Sequence, residues 1–550
     1  MMGKKSKRVC SLFSMMMLLV FLFVSCNVSK KASSNVKDDI SSQELTGKKF
    51  EKVTLNIMLR SDPVQQYEKV LEQIENATAD KLNIKMNWIF TPGGDYLTKL
   101  QLMLTAKQEL DSVFDAPWLL LGDMANKGLY ADIGSYFNND QYPGLKKAFS
   151  TTMIDANRFN GKLYGIPLTR DFSDIPTIII RGDLREKYGL PEIKDIAGLE
   201  VFFDKVLQNE KGMIPVLETN LQNNAWSFMP LSQIKAPFDQ VTNTIELAAG
   251  FRVIVAVSKD GKSVLGAYFP GDTEEVYKDF PNEWKKKEPQ PIAAAKLYRK
   301  WYEKGYFEKD IISQKDGRSL FEAGKFAAAI RQGQSSVEPL QRSVPGAKGE
   351  LVLLNEYNTF KPGLIETSYI AGNFQCIPSY SKNTDRMMMF YDWMFSGKEN
   401  HSLVELGIKG VHWVETETNG HPTFSTPPNV DPRTNYVFSR SFTLTWNPLY
   451  KYLNGGLPEM YYKIQSYLSN PASYYKSPVG SFKFNDQNVK EEMAKVVPVF
   501  TDEARAVYLG IIGNTAEEYK KINEKARKLG LEKIRLELIN QLNVYLQTVR

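Results

Sequence analysis

The sequence predicts an α/β fold with a parallel sheet, in a chain long enough for two large lobes. Three observations predict it. Strand-like and helix-like runs alternate from Lys52 to Phe114. A strand at Gly161–Pro167 meets a proline and is soon followed by a second, strongly apolar run at Ile175–Arg181. The 550 residues also leave far more chain than one core needs.

The N-terminus comes first. Lys4, Lys5, Lys7 and Arg8 form a basic start, Met15 to Val24 is unbroken and apolar, and Ser25 and Cys26 then open a polar stretch. A spanning helix needs ~20 apolar residues, so residues 1–25 read as a signal peptide. Residues 27–48 are rich in Ser, Lys and Asp and poor in apolar side chains, which marks a tether. If flexible, that tether has a root-mean-square reach of roughly 25 Å.

Folding signals begin at Lys52–Arg60, a strand with alternating Val53, Leu55 and Ile57. Tyr67, Val70, Leu71 and Ile74 recur at helical steps, and Asn83–Phe90 is a second strand. Leu97, Leu100 and Leu104 mark a second helix before a short strand at Asp111–Phe114. Strands separated by helices need crossover connections and so pair in parallel. In such sheets ligands lie beyond the carboxyl ends of the strands, which singles out the loops 60–63, 91–94 and 115–118.

Pro167 fixes φ and removes a donor, so a strand there cannot continue as a central ladder member. The chain is expected to cross to another sheet between Ile166 and Pro176, and to return near Ser368–Pro378. A third crossing is placed loosely after Trp413. Leu297–Phe307 carries a helical stripe stopped by Gly305, and Ser319–Ile330 reads as helix, glycine break and buried strand. Arg386–Phe395 reads as a buried helix face. Near the end, Thr515 and Glu518 have capping-box spacing, Gly530 divides two helices, and Ile534, Leu538, Leu542 and Tyr545 form an apolar face.

Charge and composition exclude several functions. The formal net charge is +6; without the four basic residues of the leader it is +2, so no nucleic-acid partner is indicated. Once Cys10 and Cys26 are set aside, Cys376 alone cannot form an internal disulfide. Three histidines and the lone H-x-x-E of His412–Glu415 make no metal motif, and no cofactor is expected. No nucleophile elbow or P-loop is present.

Several phrases, taken in order, resemble the extracellular solute-binding proteins of bacterial ABC importers, in the large lipoprotein branch associated with oligosaccharide uptake. They are GKLYGIP (Gly161–Pro167), RGDLREKYGLP (Arg181–Pro191), WYEKGYFEKD (Trp301–Asp310), LFEAGKFAAAI (Leu320–Ile330) and LGIKGVHW (Leu406–Trp413), with a C-terminal module similar to that branch's. Ser25–Cys26 resembles a bacterial lipobox, with Phe23 where Leu is usual; this implies lipidation of Cys26. The resemblance implies a two-lobe, type II-like periplasmic-binding-protein fold with hinge crossovers and a helical C-terminal region. It places a signal peptide at 1–25, the lipidated N-terminus and tether at 26–48, lobe 1 at 49–166 and 371–437, and lobe 2 at 167–370 and 438–550.

A sugar offers C–H faces that favour flat rings and hydroxyls that need paired donors and acceptors. Position selects the candidates for ligand contact. Arg60 and Asp62 follow the first strand, and Asp115 and Trp118 the third. Arg170, Asp171, Asn373 and Phe374 lie at the crossings. Trp226 and Trp413 stand in polar surroundings. Each has an ordinary alternative: a solvated loop pair or a cap for the helix after Pro63 for Arg60 and Asp62, core capping for Trp118, an interlobe ion pair for Arg170 and Asp171, turn chemistry for Asn373 and Phe374, local packing for Trp226 and hinge packing for Trp413.

The expected function is a lipid-anchored importer component on the outer face of the cytoplasmic membrane. It would bind an oligosaccharide by hinge closure, act as a monomer, deliver its guest to ABC permease subunits and perform no covalent chemistry. An exported polysaccharide hydrolase or lyase and a solute-sensing lipoprotein stay open as alternatives. Glu415 and Glu417, alternating on a possible strand, are the carboxylates weighed for the enzyme reading, with a solvated strand face as their ordinary role.

Overall fold

The computed structural model describes residues 50–172, 175, 177–218, 242–248, 250–286, 288–313, 317–330, 336–432, 434–436 and 444–548. Cys26, Trp226, the leader and the tether lie outside the described residues.

The first sheet runs β2-β1-β3-β13-β4. Its strands are β1 (Val53–Arg60), β2 (Ile84–Thr91), β3 (Ser112–Asp115), β4 (Gly165–Leu168) and β13 (Asn373–Cys376). β1 pairs in parallel with both β2 and β3. On β1, Leu55, Ile57 and Leu59 enter one core while Met58 enters another on the opposite face. Both faces are thus covered, as a parallel sheet requires. The helix Tyr67–Thr78 buries Val70, Leu71 and Ile74, as its spacing predicts. The helix Gly93–Thr105 departs from expectation: Tyr96, Leu100, Met103 and Leu104 are buried, while Leu97 faces solvent. One residue is 100° of rotation, and Tyr96, with its hydroxyl donating to the Phe114 carbonyl, takes the inward position.

β13 arrives from far along the chain and inserts antiparallel between β3 and β4. β4 is therefore an edge strand, where Pro167 interrupts no central ladder. Buried Met387, Met388, Phe390, Tyr391, Met394 and Phe395 of the helix Thr384–Ser396 join the core on one face of this sheet.

The second sheet runs β11-β5-β10-β6. It contains β5 (Ile178–Arg181), β6 (Ile214–Glu218), β10 (Phe326–Ile330) and β11 (Gly349–Val352). β5 begins later than expected: Ile175 is buried but lies ahead of the strand. The helices Ile196–Asn209 and Gln290–Glu303 supply Phe202, Phe203, Tyr298 and Trp301 to one face. Gly305, with φ +74°, follows the second of these, and Gly324, with φ +76°, separates the helix Gly317–Glu322 from β10.

A third, antiparallel sheet was not expected. It comprises β7 (Thr242–Ala248), β8 (Phe251–Val257) and β9 (Val264–Tyr268). It shares a core with the C-terminal helices, in which Ile534, Leu538 and Leu542 of the helix Leu531–Thr548 are fully buried. A buried ion pair joins the two: Arg535 donates both terminal nitrogens to the Asp272 carboxylate at 2.8 Å. Gly530 divides the last two helices with φ +111°. The expected capping box does not form. Asn514, in a left-handed conformation, precedes the helix Thr515–Lys528, and no side chain caps it.

Two small ribbons complete the strands. β14 (Val414–Thr418) and β15 (His421–Ser425) form a hairpin whose Asn419–Gly420 turn has positive φ at both residues. Glu415 and Glu417 sit on its exposed face. β12 (Ile365–Glu366) pairs with β16 (Tyr474–Tyr475). Among the described residues no helix is long and apolar enough to cross a membrane.

Candidate functional site

The chain passes from the first sheet to the second between β4 and β5, and returns between β11 and β13 by way of β12. These two connections touch: the Ser368 amide donates to the Phe172 carbonyl at 2.7 Å, and the Phe172 and Tyr369 rings lie 4.9 Å apart. A third passage follows the β14–β15 hairpin. Leu444 and Tyr450 still belong to the first core, while Leu453, Leu457 and Tyr461 belong to the second sheet's. The expected end of lobe 1 at residue 437 falls short of these contacts.

Where β1 and β3 end, the structure brings three predicted residues together. The Arg60 guanidinium lies 5.4 Å from the Trp118 ring centre and over the backbone of Gly93, whose Cβ position would be 2.9 Å from an Arg60 nitrogen. Burial pulls the Arg60 pKa below its ordinary value, with Tyr96 opposing the shift. The Trp118 indole N–H donates to the Gly372 carbonyl at 2.8 Å and to Asn373 Oδ1 at 3.2 Å. The ring is 40% exposed although it is fixed on its polar edge and has Phe114 6.1 Å away. A large ring held in place with much of its area wet is a ready platform for a flat apolar surface.

Asp115 and Phe374 lie below that platform. They are register partners between β3 and β13, and both are buried. Asp115 accepts from the Tyr130 hydroxyl at 2.6 Å and from the amides of Ala116 and Leu120 at 2.7 and 3.0 Å. Burial pushes its pKa up to about 6 in spite of those donors. Its carboxylate closes the 115–120 loop that carries Trp118; fully covered, it is placed to hold the loop and not to meet a guest. Asp62 is exposed, and the Ser61 hydroxyl donates to its backbone carbonyl.

Arg170 and Asp171 are held by protein partners. Arg170 donates to Glu405 on the helix Lys398–Leu406 at 2.8 Å and lies 4.9 Å from the Trp446 ring centre. Asp171 pairs with Lys451. Both ion pairs tie the first crossing to elements around the third. Glu405 is buried, and burial raises its pKa against the pull of Arg170. Beside it His401, stacked on Tyr450 at 4.5 Å, is pushed down to about 4 by burial. Trp413 is buried and donates to the Gly407 carbonyl at 2.9 Å, which is packing. Trp226 lies outside the described residues, as do residues 219–241 and 331–335, which follow β6 and β10.

Sequence reasoning missed Asn157. It is buried and ties the return crossing to the first sheet: its amide donates to the Tyr369 carbonyl at 2.7 Å, and its oxygen accepts from the Ala371 amide at 2.8 Å. No local pattern marks this role, because the two crossing partners lie over two hundred positions away. Among the described residues no group of three or more His, Cys, Asp or Glu could hold a metal ion.

A family model described as "Bacterial extracellular solute-binding protein" matches residues 70–408, and one described as a domain of unknown function matches residues 478–547. A carbohydrate ABC transporter substrate-binding protein of Streptococcus pneumoniae is 21% identical over 481 residues, covering 88% of each chain. The crystal structure of an N-glycan transport solute binding protein from Streptococcus pneumoniae, in complex with Man1GlcNAc, is similar with a TM-score of 0.64 at 19% identity, covering 90% of this chain and 100% of that one. The crystal structure of an alginate-binding protein without calcium ion is similar with a TM-score of 0.57 at 14% identity, covering 89% of this chain and 98% of that one. These likenesses show a shared α/β fold.

Proposed function

Because the chain belongs to the bacterial extracellular solute-binding protein family, we propose that it captures an oligosaccharide outside the cell and hands it to the permease of an ABC importer. The observation that carries this reading is the Trp118 platform. An exposed indole is locked by Gly372 and Asn373 at the carboxyl ends of parallel strands, beside a half-buried arginine and one residue from the return crossing. The likeness to a carbohydrate transporter component and to an N-glycan transport protein supports a sugar as the guest.

The mechanism is a clamp. The first lobe is the first sheet with its helices, taken as 49–166 and 371–437 and extended to Leu444 and Tyr450. The second lobe is the remainder. The three crossings form the hinge. A guest stacked on Trp118 meets the second lobe only when the lobes close, so its differential affinity for the closed state shifts the population. The closed form is the one delivered to permease subunits. The step is reversible and breaks no covalent bond. A diacylglycerol on Cys26 would supply the two chains that stable anchoring requires, holding a monomer on the outer face of the cytoplasmic membrane.

The test is a thermal-shift screen of the purified chain against neutral and acidic oligosaccharides, followed by calorimetry and an assay for new reducing ends. One oligosaccharide raising Tm without being cleaved is the expected result. Silence across the whole panel, or release of reducing ends, overturns the reading.

A further inference from the structure

The register of the first sheet sets Arg60 beside Thr91, the last residues of β1 and β2. Two residues after Thr91 the helix Gly93–Thr105 begins, so the Arg60 side chain leaves its strand against the start of that helix. A Cβ on Gly93 would lie 2.9 Å from Arg60 Nη2, 3.2 Å from Cζ and 3.6 Å from Nη1. Three guanidinium atoms at such similar distances mean that the group lies broadly against the Gly93 backbone. Its Cζ is also 5.4 Å from the Trp118 ring centre. The guanidinium therefore occupies the space between the helix start and the indole.

The backbone does not call for glycine at 93. The residue opens a helix, its φ lies outside the left-handed region, and alanine is the better helix former. A Cβ on the next residue, Gly94, would meet no described atom within 4 Å. What position 93 avoids is thus a collision with Arg60. The helix start has no freedom to retreat from one. One turn on, Tyr96 is fully buried, and its hydroxyl donates to the Phe114 carbonyl at 2.6 Å. The part able to give way is the Arg60 tip, the end of a long, partly exposed side chain.

Taking the solute-binding reading as given, we propose that Gly93 is a positioning residue for guest binding: by lacking a side chain it seats the Arg60 guanidinium, which holds the Trp118 indole in the orientation a sugar face meets. The indole is then gripped twice, at its N–H by Gly372 and Asn373 and beside its ring by Arg60. A guanidinium this close to an indole is attracted by the ring quadrupole. A ring already fixed spares the guest the cost of ordering it. Gly93 acts through Arg60 and Trp118, so its effect on affinity depends on the arginine being present.

The test uses the full chain carrying fluorotryptophan, with the Trp118 fluorine resonance assigned from W118F and every variant checked by its melting curve. Without saccharide, G93A and R60M should each shift or broaden that resonance, and G93A/R60M should match R60M. R60M empties the seat without altering the helix, so it tests the grip independently of how well G93A folds. Calorimetry then uses neutral gluco-, manno- and galacto-configured trisaccharides as probes. G93A should weaken a trisaccharide that the wild type binds by about threefold or more, the order expected when one side chain must be ordered on binding. In the R60M background G93A should cost nothing further, whereas an effect exerted through the helix alone would carry over in full. A resonance unmoved in G93A or R60M, a loss under threefold, or the same loss in both backgrounds overturns the inference. If the wild type binds none of the trisaccharides, the resonance still decides whether Gly93 positions the indole, and the failure falls on the sugar reading.

Discussion

Replacing Trp118 with alanine removes the platform while sparing the fold beneath it. A buried tryptophan covers up to ~250 Å². With 40% of the ring exposed, a guest that covers the wet part removes about 100 Å² from water, or about 2.5 kcal/mol at ~25 cal/mol per Å². That corresponds to roughly 70-fold in Kd. W118F keeps most of the ring but lacks the donor to Gly372 and Asn373, so its loss should be about tenfold or less. Calorimetric titration with an oligosaccharide identified by the screen gives both values, and melting curves separate affinity from stability. W118A should lower Tm only modestly, because Asp115 and Phe374 below it stay in place. An affinity within threefold of wild type, with folding intact, would refute the assignment of this ring to the guest.

Further predictions address the scaffold. Asp115 is held neutral more readily in the folded chain than in the unfolded one, since its folded pKa rises from 3.8 to about 6. Its contribution therefore weakens as pH climbs between these values, by about 3 kcal/mol in all. D115N should remove that slope, so the variant's urea midpoint relative to wild type should be higher at pH 7 than at pH 4; an unchanged difference contradicts the argument. His401 carries the opposite sign: buried neutral with its pKa down at about 4, it should cost stability as pH falls from 6.5 towards 4. R170M leaves Glu405 buried without its cation, and should cost about 2 kcal/mol, discounted from the ~3–5 kcal/mol of a fully buried pair because Arg170 is partly exposed. R170M/E405Q should be milder, as measured by denaturant unfolding. Gly271 has φ +88° and an added Cβ would collide with the Tyr519 carbonyl oxygen; G271A should lower Tm by several degrees and loosen the C-terminal helices, seen as faster amide exchange there.

Much of the first sheet was legible because period-2 and helical spacing coincide with real faces: Leu55, Ile57 and Leu59 do point together. Leu97 was misread because a helix with apolar residues on two sides gives two stripes, and only the sheet beneath chooses between them. Pro167 marked an edge strand, but the partner that makes it an edge, β13, lies two hundred residues away. The third sheet was missed because β7–β9 need the C-terminal helices to cover them, and no local pattern records that pairing. At the site, position at a strand's carboxyl end picked out Arg60 and Trp118, and place at the return crossing picked out Asn373; the fold does bring the three together. The same rule could not tell Asp115, turned under the loop, from Trp118, turned out of it. Asn157 acts at the return crossing through partners remote in sequence, so spacing held no sign of that role.

The central claim is that two halves joined by three crossings close on a guest. It is tested most directly by the distance between spin labels at Leu102 and Leu207, both exposed, on helices flanking the first and second sheets. Cys376 is buried and does not compete for label. The account predicts a distance distribution that shortens and narrows on adding a saturating oligosaccharide, and returns when the oligosaccharide is dialysed away. An unchanged distribution with the site demonstrably filled would contradict it.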